Sequence, residues 1–392
     1  MNLDCLLDYG NGTISCAVVI RQSPDGAITA SVKPFTAIGS TLKGNCYLDG
    51  VPGGRWVLTR TEAYVAGRKV TSDHVDELVV NIVRAELVAP HALTASDLVT
   101  IRIGLTNLPF KHLWNEHFIL NVGGYSIAVS YRRRGSVTHV AEITGARYGD
   151  LARIKELMQE VCWLLSLATG RLVGVARVDV LSKRRKVYTE LDGVMTSLNQ
   201  GLPLVLYEMS RPPGIAQFIE HSLPHFQRES RWLPLQNLIN IGLLAKHSFY
   251  VENQVLLMTN CLEVLRYSYA LNVGVPAGFM RQRGSNFDWL PGSGNTGQAS
   301  FAAILEHFFA SANISGWTPN FTKLRNEIVH TGQIAGSFAD QVQQSYDLHH
   351  LCDRILLAIL NWDHVAGHYL PFNDRQHPDP NRGGNNWTAF SR

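Results

Sequence analysis

The hydrophobic pattern of this chain changes along its length, and this change constrains the fold more than any other feature. Over about the first 130 residues, short runs rich in β-branched and aromatic residues are separated by turn signals such as Asp49-Gly50, a pattern typical of antiparallel strands. After Trp232, apolar residues recur almost entirely at helical spacing. The sequence therefore predicts an α+β protein, with a β-rich N-terminal sandwich or barrel-like domain and a C-terminal all-α bundle.

Local signals place the domain boundaries. Asp150 and a wide apolar stripe predict a helix at about 150–169 that packs onto the β-rich region. The Arg211-Pro212-Pro213-Gly214 segment predicts a boundary or tight loop between about residues 210 and 232, because proline disfavours a helix interior or a central strand. We therefore expect domains at 1–228 and 229–370, with the polar segment 282–300 as a loop and residues 371–392 as a disordered tail.

Composition describes a globular chain with ordinary charge. It has 392 residues, 45% of them hydrophobic, and a net charge of +3 with a pI near 8.5. The six cysteines are scattered without a C-x-x-C pair, which favours small core residues in a reducing compartment over disulfides or a zinc site. No run of eighteen apolar residues indicates a membrane span. We expect a cytoplasmic protein that needs no metal or cofactor and has no membrane partner.

One short segment concentrates chemistry-bearing side chains. Residues 321–332 predict a single helix, because Phe321, Leu324 and Ile328 share one face and Gly332 follows the last of them. At about 100° per residue, Asn326 and His330 lie together on the opposite face, and Arg325 lies at the edge of the apolar stripe. An arginine, an amide and an imidazole therefore project from a helix whose apolar face is expected to be buried.

This Arg-Asn-x-x-x-His constellation resembles the motif of the HEPN superfamily, helical domains many of which are metal-independent ribonucleases. The β-rich N-terminal region and the position of the motif on a late helix resemble the ApeA-type HEPN proteins of bacterial antiphage defence. A second pair at the same spacing, Arg134 and His139, has no helical pattern around it, so we interpret it as coincidental. The resemblance implies Arg325, Asn326 and His330 as catalytic residues and a cyclic 2′,3′-phosphate and a 5′-hydroxyl as products.

The three residue types suit RNA cleavage by attack of the 2′-hydroxyl. Histidine, with an ordinary pKa near 6.5, can transfer protons at neutral pH. Arg325 offers a permanently charged fork that matches phosphate oxygens, and Asn326 can orient the phosphate or the imidazole. Because Arg325 and His330 are five residues apart, they diverge by about 140° on an ideal helix, so one motif does not easily surround a phosphate. We therefore predict an isologous homodimer, as the resemblance also implies.

Other residues are candidates for support or RNA binding. Glu263 lies in an apolar surround and needs a partner; Arg325 on a neighbouring helix and Arg266 on its own helix are both open. Basic residues beside strand-like segments suit either a phosphate contact or a solvated hairpin end. The candidate RNA-binding residues are Arg132, Arg133, Lys183, Arg184, Arg185, Lys186 and Lys323.

Two functional hypotheses follow. In the first, the chain is an endoribonuclease acting in antiphage defence by abortive infection; it cuts RNA, tRNA being one candidate, and its N-terminal domain senses or restrains. A phage-derived protein is a candidate trigger. In the second, it is a catalytically silent interaction protein, in which the same helix supplies a dimer interface and the N-terminal domain binds a protein or glycan. Retention of all three motif residues favours the enzyme.

Overall fold

The computed structural model describes most of the chain and shows an α+β protein. It describes residues 2–8, 13–23, 27–34, 45–50, 56–59, 61–71, 74–89, 93–108, 118–134, 137–193, 212–314 and 320–362. The chain divides into two compact units, residues 1–162 with 173–199 and residues 163–172 with 200–392. The first unit is rich in strands and the second is mainly helical. The tail predicted at 371–392 lies outside the described residues.

The first unit begins with a closed six-stranded barrel. Its strands follow the order β1-β2-β3-β7-β6-β4, all antiparallel. Alternate side chains point inward, as a two-residue period requires, and small and branched residues such as Cys16, Val18 and Ile20 fill the interior. The bounds are β1 Asn2–Asp8, β2 Thr13–Gln22, β3 Ile28–Pro34, β4 Asn45–Gly50, β6 Thr61–Thr71 and β7 His74–Ile82.

An eight-stranded antiparallel sheet contains the other strands in the described part of the first unit. Its order is β10-β11-β12-β9-β13-β14-β8-β5. Ala85, Leu87 and Leu191 of this sheet join the core of the barrel, so the two β layers of the unit share one apolar interior. The bounds are β5 Val57–Leu58, β8 Arg84–Val88, β9 Leu98–Thr106, β10 Phe118–Val122, β11 Tyr125–Arg134, β12 Val137–Arg147, β13 Val175–Ser182 and β14 Arg185–Asp192.

Helix α1, Leu151–Thr169, packs on this sheet as the apolar stripe predicted. Ile154, Met158 and Val161 are buried, and Lys155 pairs with Glu190 of β14 at 2.6 Å. Residues up to 162 of this helix belong to the first unit and the remainder to the second. The helix therefore forms no domain of its own.

In its described residues, the second unit contains six further α-helices, a short π-helix at Ala270–Gly274 and a β-hairpin. They are α2 Pro212–Glu229, α3 Leu235–His247, α4 Val251–Tyr269, β15 Met280–Arg283, β16 Asn286–Trp289, α5 Phe301–Ser311, α6 Asn320–Thr331 and α7 Phe338–Ile359. Helix α4 contacts α3, α5, α6 and α7 and so lies at the centre of the helical packing. Of the helices in the described part of the chain, none is long and apolar enough to cross a membrane.

Two local predictions for this unit were wrong. Helix α2 occupies the stretch in which a boundary or tight loop was expected. Pro212 and Pro213 begin this helix, where the first backbone N–H groups have no intrahelical acceptor and proline costs nothing. The expected loop at 282–300 holds most of the β15–β16 hairpin, so this unit is not all helical.

Candidate functional site

Helix α6 forms as the sequence predicts. Phe321, Leu324 and Ile328 are buried on one face. The helix ends at Thr331, and the next residue, Gly332, has a φ of +69°, the left-handed conformation that glycine adopts without strain. The Gly332 N–H donates to the Ile328 carbonyl oxygen at 3.1 Å. The buried stripe therefore fixes the rotation of α6 about its axis and the direction in which its polar residues project.

Arg325 is held by Glu263 of the neighbouring helix α4. Its Nε donates to Glu263 Oε1 at 2.9 Å, and its Nη2 lies 2.7 Å from the same oxygen. The other carboxylate oxygen, Glu263 Oε2, accepts from Arg266 Nε at 2.9 Å. Both partners that the sequence left open are thus present, and one carboxylate serves two guanidinium groups.

Two further contacts orient the Arg325 guanidinium. Its Nη1 donates to Asn326 Oδ1 at 2.9 Å, and its Cζ lies 5.5 Å from the ring centroid of Phe301, in cation–π range. A guanidinium has five N–H donors, and the two hydrogen bonds use the Nε group and one group on Nη1. Because the Arg325 side chain is 28% exposed, the N–H groups that remain on Nη1 and Nη2 are those available to a phosphate.

His330 and Asn326 are exposed on α6. They are one turn apart and share a face of the helix, as the spacing predicts. His330 lies in the last turn, and Val329 beside it exposes 47% of its surface. The imidazole therefore lies open to solvent on a rigid element, while Arg325 lies nearer the packed side of the same helix.

Lys323 projects from the first half of α6 and is largely exposed. Its Nζ lies 3.7 Å from Glu327 Oε1, one helical turn on. An exposed i,i+4 pair of this kind contributes only about 0.3–0.5 kcal/mol, so Lys323 remains available to a charged ligand.

The remaining candidate RNA-binding residues belong to the first unit. Arg132 is exposed on β11, while the side chain of Arg133 lies outside the described residues. Lys183, Arg184, Arg185 and Lys186 are exposed at the turn between β13 and β14. The structure therefore places these basic residues on strands and a hairpin of the first unit, whereas α6 belongs to the second unit.

The second Arg-x-x-x-x-His pair is not a helical motif. Arg134 ends β11 and His139 lies on the adjacent β12. Burial lowers the pKa of His139 to about 4, so its imidazole is neutral at physiological pH. This environment suits a core residue better than a proton-transfer group.

Other histidines and acids do not form a metal site in the part of the chain that the structure describes. There, no group of three or more His, Cys, Asp or Glu side chains is arranged to hold an ion. His221 and His225 lie one turn apart on α2, but His221 Nε2 lies 3.0 Å from the Asn361 carbonyl oxygen and His225 Nδ1 lies 3.0 Å from an Arg228 nitrogen.

Sequence reasoning missed Phe301 as a member of this site. It is the first residue of α5, directly after the N-cap Ser300, and nothing in the local pattern indicates that its ring meets a guanidinium from α6. Such a contact depends on how two helices pack and has no sequence spacing of its own.

Comparisons of the chain with protein-family models, with curated proteins and with solved structures found no match. The geometry of α6 and its neighbours is therefore the basis for a functional assignment.

Proposed function

We propose that this chain is a metal-independent endoribonuclease whose helical unit is a HEPN-type domain. The observation that carries the proposal is the arrangement on α6. Arg325 is held by Glu263 and keeps N–H groups on Nη1 and Nη2 for a further acceptor. Asn326 and His330 are exposed on the same helix. A charged fork, an amide and an imidazole are the groups that a phosphodiester cleavage requires.

In the proposed reaction, the 2′-hydroxyl oxygen of RNA attacks the adjacent phosphorus. One imidazole accepts the proton of this hydroxyl, the bond from phosphorus to the 5′-oxygen breaks, and an imidazolium donates a proton to the departing oxygen. The products are a 2′,3′-cyclic phosphate and a 5′-hydroxyl. Arg325 stabilises the charge that develops on the phosphorane oxygens, and Asn326 orients the guanidinium through Oδ1.

The active form in this proposal is a homodimer. Because His330 and Arg325 diverge by about 140° around α6, a second copy of the helix across a two-fold axis supplies an acid where the first supplies a base. Val329, 47% exposed beside His330, is an apolar residue that such an interface would cover. The site is therefore incomplete in one chain and complete in two.

The biological setting rests on the resemblance of the motif and of the domain order. We place the enzyme in the bacterial cytoplasm, in antiphage defence by abortive infection, with tRNA as a candidate target. The β-rich unit restrains the nuclease or senses the trigger, and a phage-derived protein is a candidate for that trigger.

The test is cleavage of total cellular RNA in EDTA by the wild-type protein, by His330→Ala and by His225→Ala. His225 is the matched control, because it is a helical histidine outside α6. We expect the wild type and His225→Ala to cut equally and His330→Ala to be inactive. Equal cutting by all three proteins would reject α6 as the site, and a wild type inactive with and without infected-cell lysate would favour the silent interaction protein.

A further inference from the structure

The turn between β13 and β14 places two cations in a backbone conformation that side chains avoid. Ser182 pairs with Arg185, so Lys183 and Arg184 form a two-residue hairpin loop. Their φ angles are +48° and +66°. Two-residue turns of this hand favour Asn-Gly, because both central positions require a positive φ. The chain therefore accepts strain here to carry adjacent positive charges, and strain that persists is a sign of a functional constraint.

Behind the turn, one carboxylate organises more cations on the sheet. Asp179 accepts from Arg177 Nε at 2.9 Å, from Lys186 Nζ at 2.6 Å and from Thr189 Oγ1 at 2.7 Å. Its side chain is 10% exposed, whereas Arg177 and Lys186 remain 31% and 37% exposed. The nearly buried carboxylate thus holds both cations in place, while each of them keeps part of its side chain in solvent.

The same face continues across two more strands. Register pairs Asp179 with Arg102 on β9, and Arg102 with Glu142 on β12, in one row. Arg102 Nε lies 2.5 Å from Glu142 Oε2, and its side chain is 43% exposed. Directly paired residues point to the same face of a sheet, so this row lies beside Arg177 and Lys186.

These residues together form what we call the hairpin surface, defined by Arg102, Arg177, Lys183, Arg184 and Lys186. Its five cations lie with two carboxylates, Asp179 and Glu142, an excess of three positive charges. The whole chain carries only +3, so positive charge is concentrated here. The register row holds no aromatic side chain, which favours contact with a phosphate backbone over stacking on bases.

We propose that the hairpin surface binds the phosphates of the RNA substrate, without reading its sequence. This inference rests on the proposed function, because it names how the same enzyme holds its substrate. Arginine and lysine side chains that a carboxylate holds in place, as Asp179 holds Arg177 and Lys186, suit phosphate oxygens. Binding through phosphates fixes the position of the strand and carries no sequence information.

The experiment compares two double variants of the full-length protein. Lys183→Gln with Arg184→Gln removes the charges and keeps the strained backbone, whereas Lys183→Asn with Arg184→Gly removes both. Arg21→Gln with Arg153→Gln is the control, because both arginines are exposed elsewhere in the first unit. The probe is a fluorescent 2′-O-methyl oligonucleotide, which lacks the attacking hydroxyl, and binding is followed by anisotropy at several salt concentrations.

Both hairpin variants should weaken binding about tenfold or more at 0.1 M salt, and should reduce the slope of log K against log salt by about 1.4. The Asn-Gly variant should also raise Tm, because it relieves the turn, and the control should do neither. Because the probe cannot be cleaved, a loss of binding is separable from failure of the catalytic proposal. Unchanged affinity in both hairpin variants would overturn the inference, whatever their Tm, and would leave a solvated turn.

Discussion

Removing Glu263 tests whether the Arg325 guanidinium is useful because it is held. Glu263 accepts charged N–H groups from Arg325 and from Arg266, and all three side chains are between 18% and 28% exposed. A hydrogen bond to a charged group contributes about 1.5–3 kcal/mol when buried, and partial exposure reduces this to about 1 kcal/mol for each arginine. We therefore expect Glu263→Ala to lower the free energy of unfolding by about 2 kcal/mol, since two cations lose their counter-charge.

The effect on cleavage should exceed the effect on folding. Displacement of a catalytic group by about 1 Å can cost about 100-fold in rate, so we expect kcat to fall about 10- to 100-fold in Glu263→Ala. In Glu263→Gln, which keeps an acceptor oxygen, the loss should be smaller. The assays are urea unfolding and steady-state cleavage of a labelled RNA. Glu252→Gln, on the same helix α4, is the matched control and should cost at most about 1 kcal/mol.

A double-mutant cycle distinguishes positioning from simple destabilisation. If Glu263 acts through Arg325, then Arg325→Ala with Glu263→Ala should cleave no more slowly than Arg325→Ala alone. Additive losses in rate would mean that Glu263 acts independently of Arg325. Wild-type kcat in folded Glu263→Ala would refute the reasoning altogether.

Three further predictions concern the stability of the fold. Lys246 and Asp353 form an ion pair at 2.5 Å, and both side chains are only 3% exposed. Asp353→Ala leaves the Lys246 charge buried and should lower the free energy of unfolding by about 3–5 kcal/mol, whereas Lys246→Met with Asp353→Leu should recover most of that loss in urea unfolding. Burial lowers the pKa of His139 to about 4, so between about pH 6.5 and pH 4 the imidazole is protonated in the unfolded chain but not in the folded one. The free energy of unfolding should therefore fall by up to about 3 kcal/mol as the pH drops through this range. In His139→Gln, the free energy of unfolding should depend less on pH there. Ser337 forms a capping box with Asp340 at the start of α7, and Ser337→Ala should lower Tm by the equivalent of about 1 kcal/mol.

Two helices with one wide apolar stripe could be predicted from the sequence almost to the residue. Helix α6 spans Asn320–Thr331 where 321–332 was expected, and α1 begins one residue after the predicted cap. Helix α2 was missed because Pro212 and Pro213 were interpreted as helix breakers, whereas proline in the first turn is compatible with a helix. Strands β10 and β11 form a hairpin that turns at Gly123 and Gly124, two residues that adopt the positive φ of such a turn without strain.

The strands of the barrel were harder to predict, because a short strand is stabilised by partners that are distant in sequence. β1 and β4 pair across about 40 residues, and neither carries a long alternating pattern of its own. The same reasoning applies to the site. The Arg325, Asn326 and His330 spacing is visible in the sequence, but the contacts of Arg325 with Glu263 and Phe301 depend on helix packing.

The most direct test of the account is the end chemistry of a single cut. An RNA oligonucleotide and the same sequence with 2′-O-methyl groups throughout are incubated in EDTA with the wild-type protein and with His330→Ala. The masses of the fragments are then measured by mass spectrometry. The account predicts fragments only from RNA with the wild type, each pair carrying a 2′,3′-cyclic phosphate and a 5′-hydroxyl. Cleavage of the methylated strand, or fragments ending in a 5′-phosphate, would contradict attack by the 2′-hydroxyl and with it the role assigned to α6.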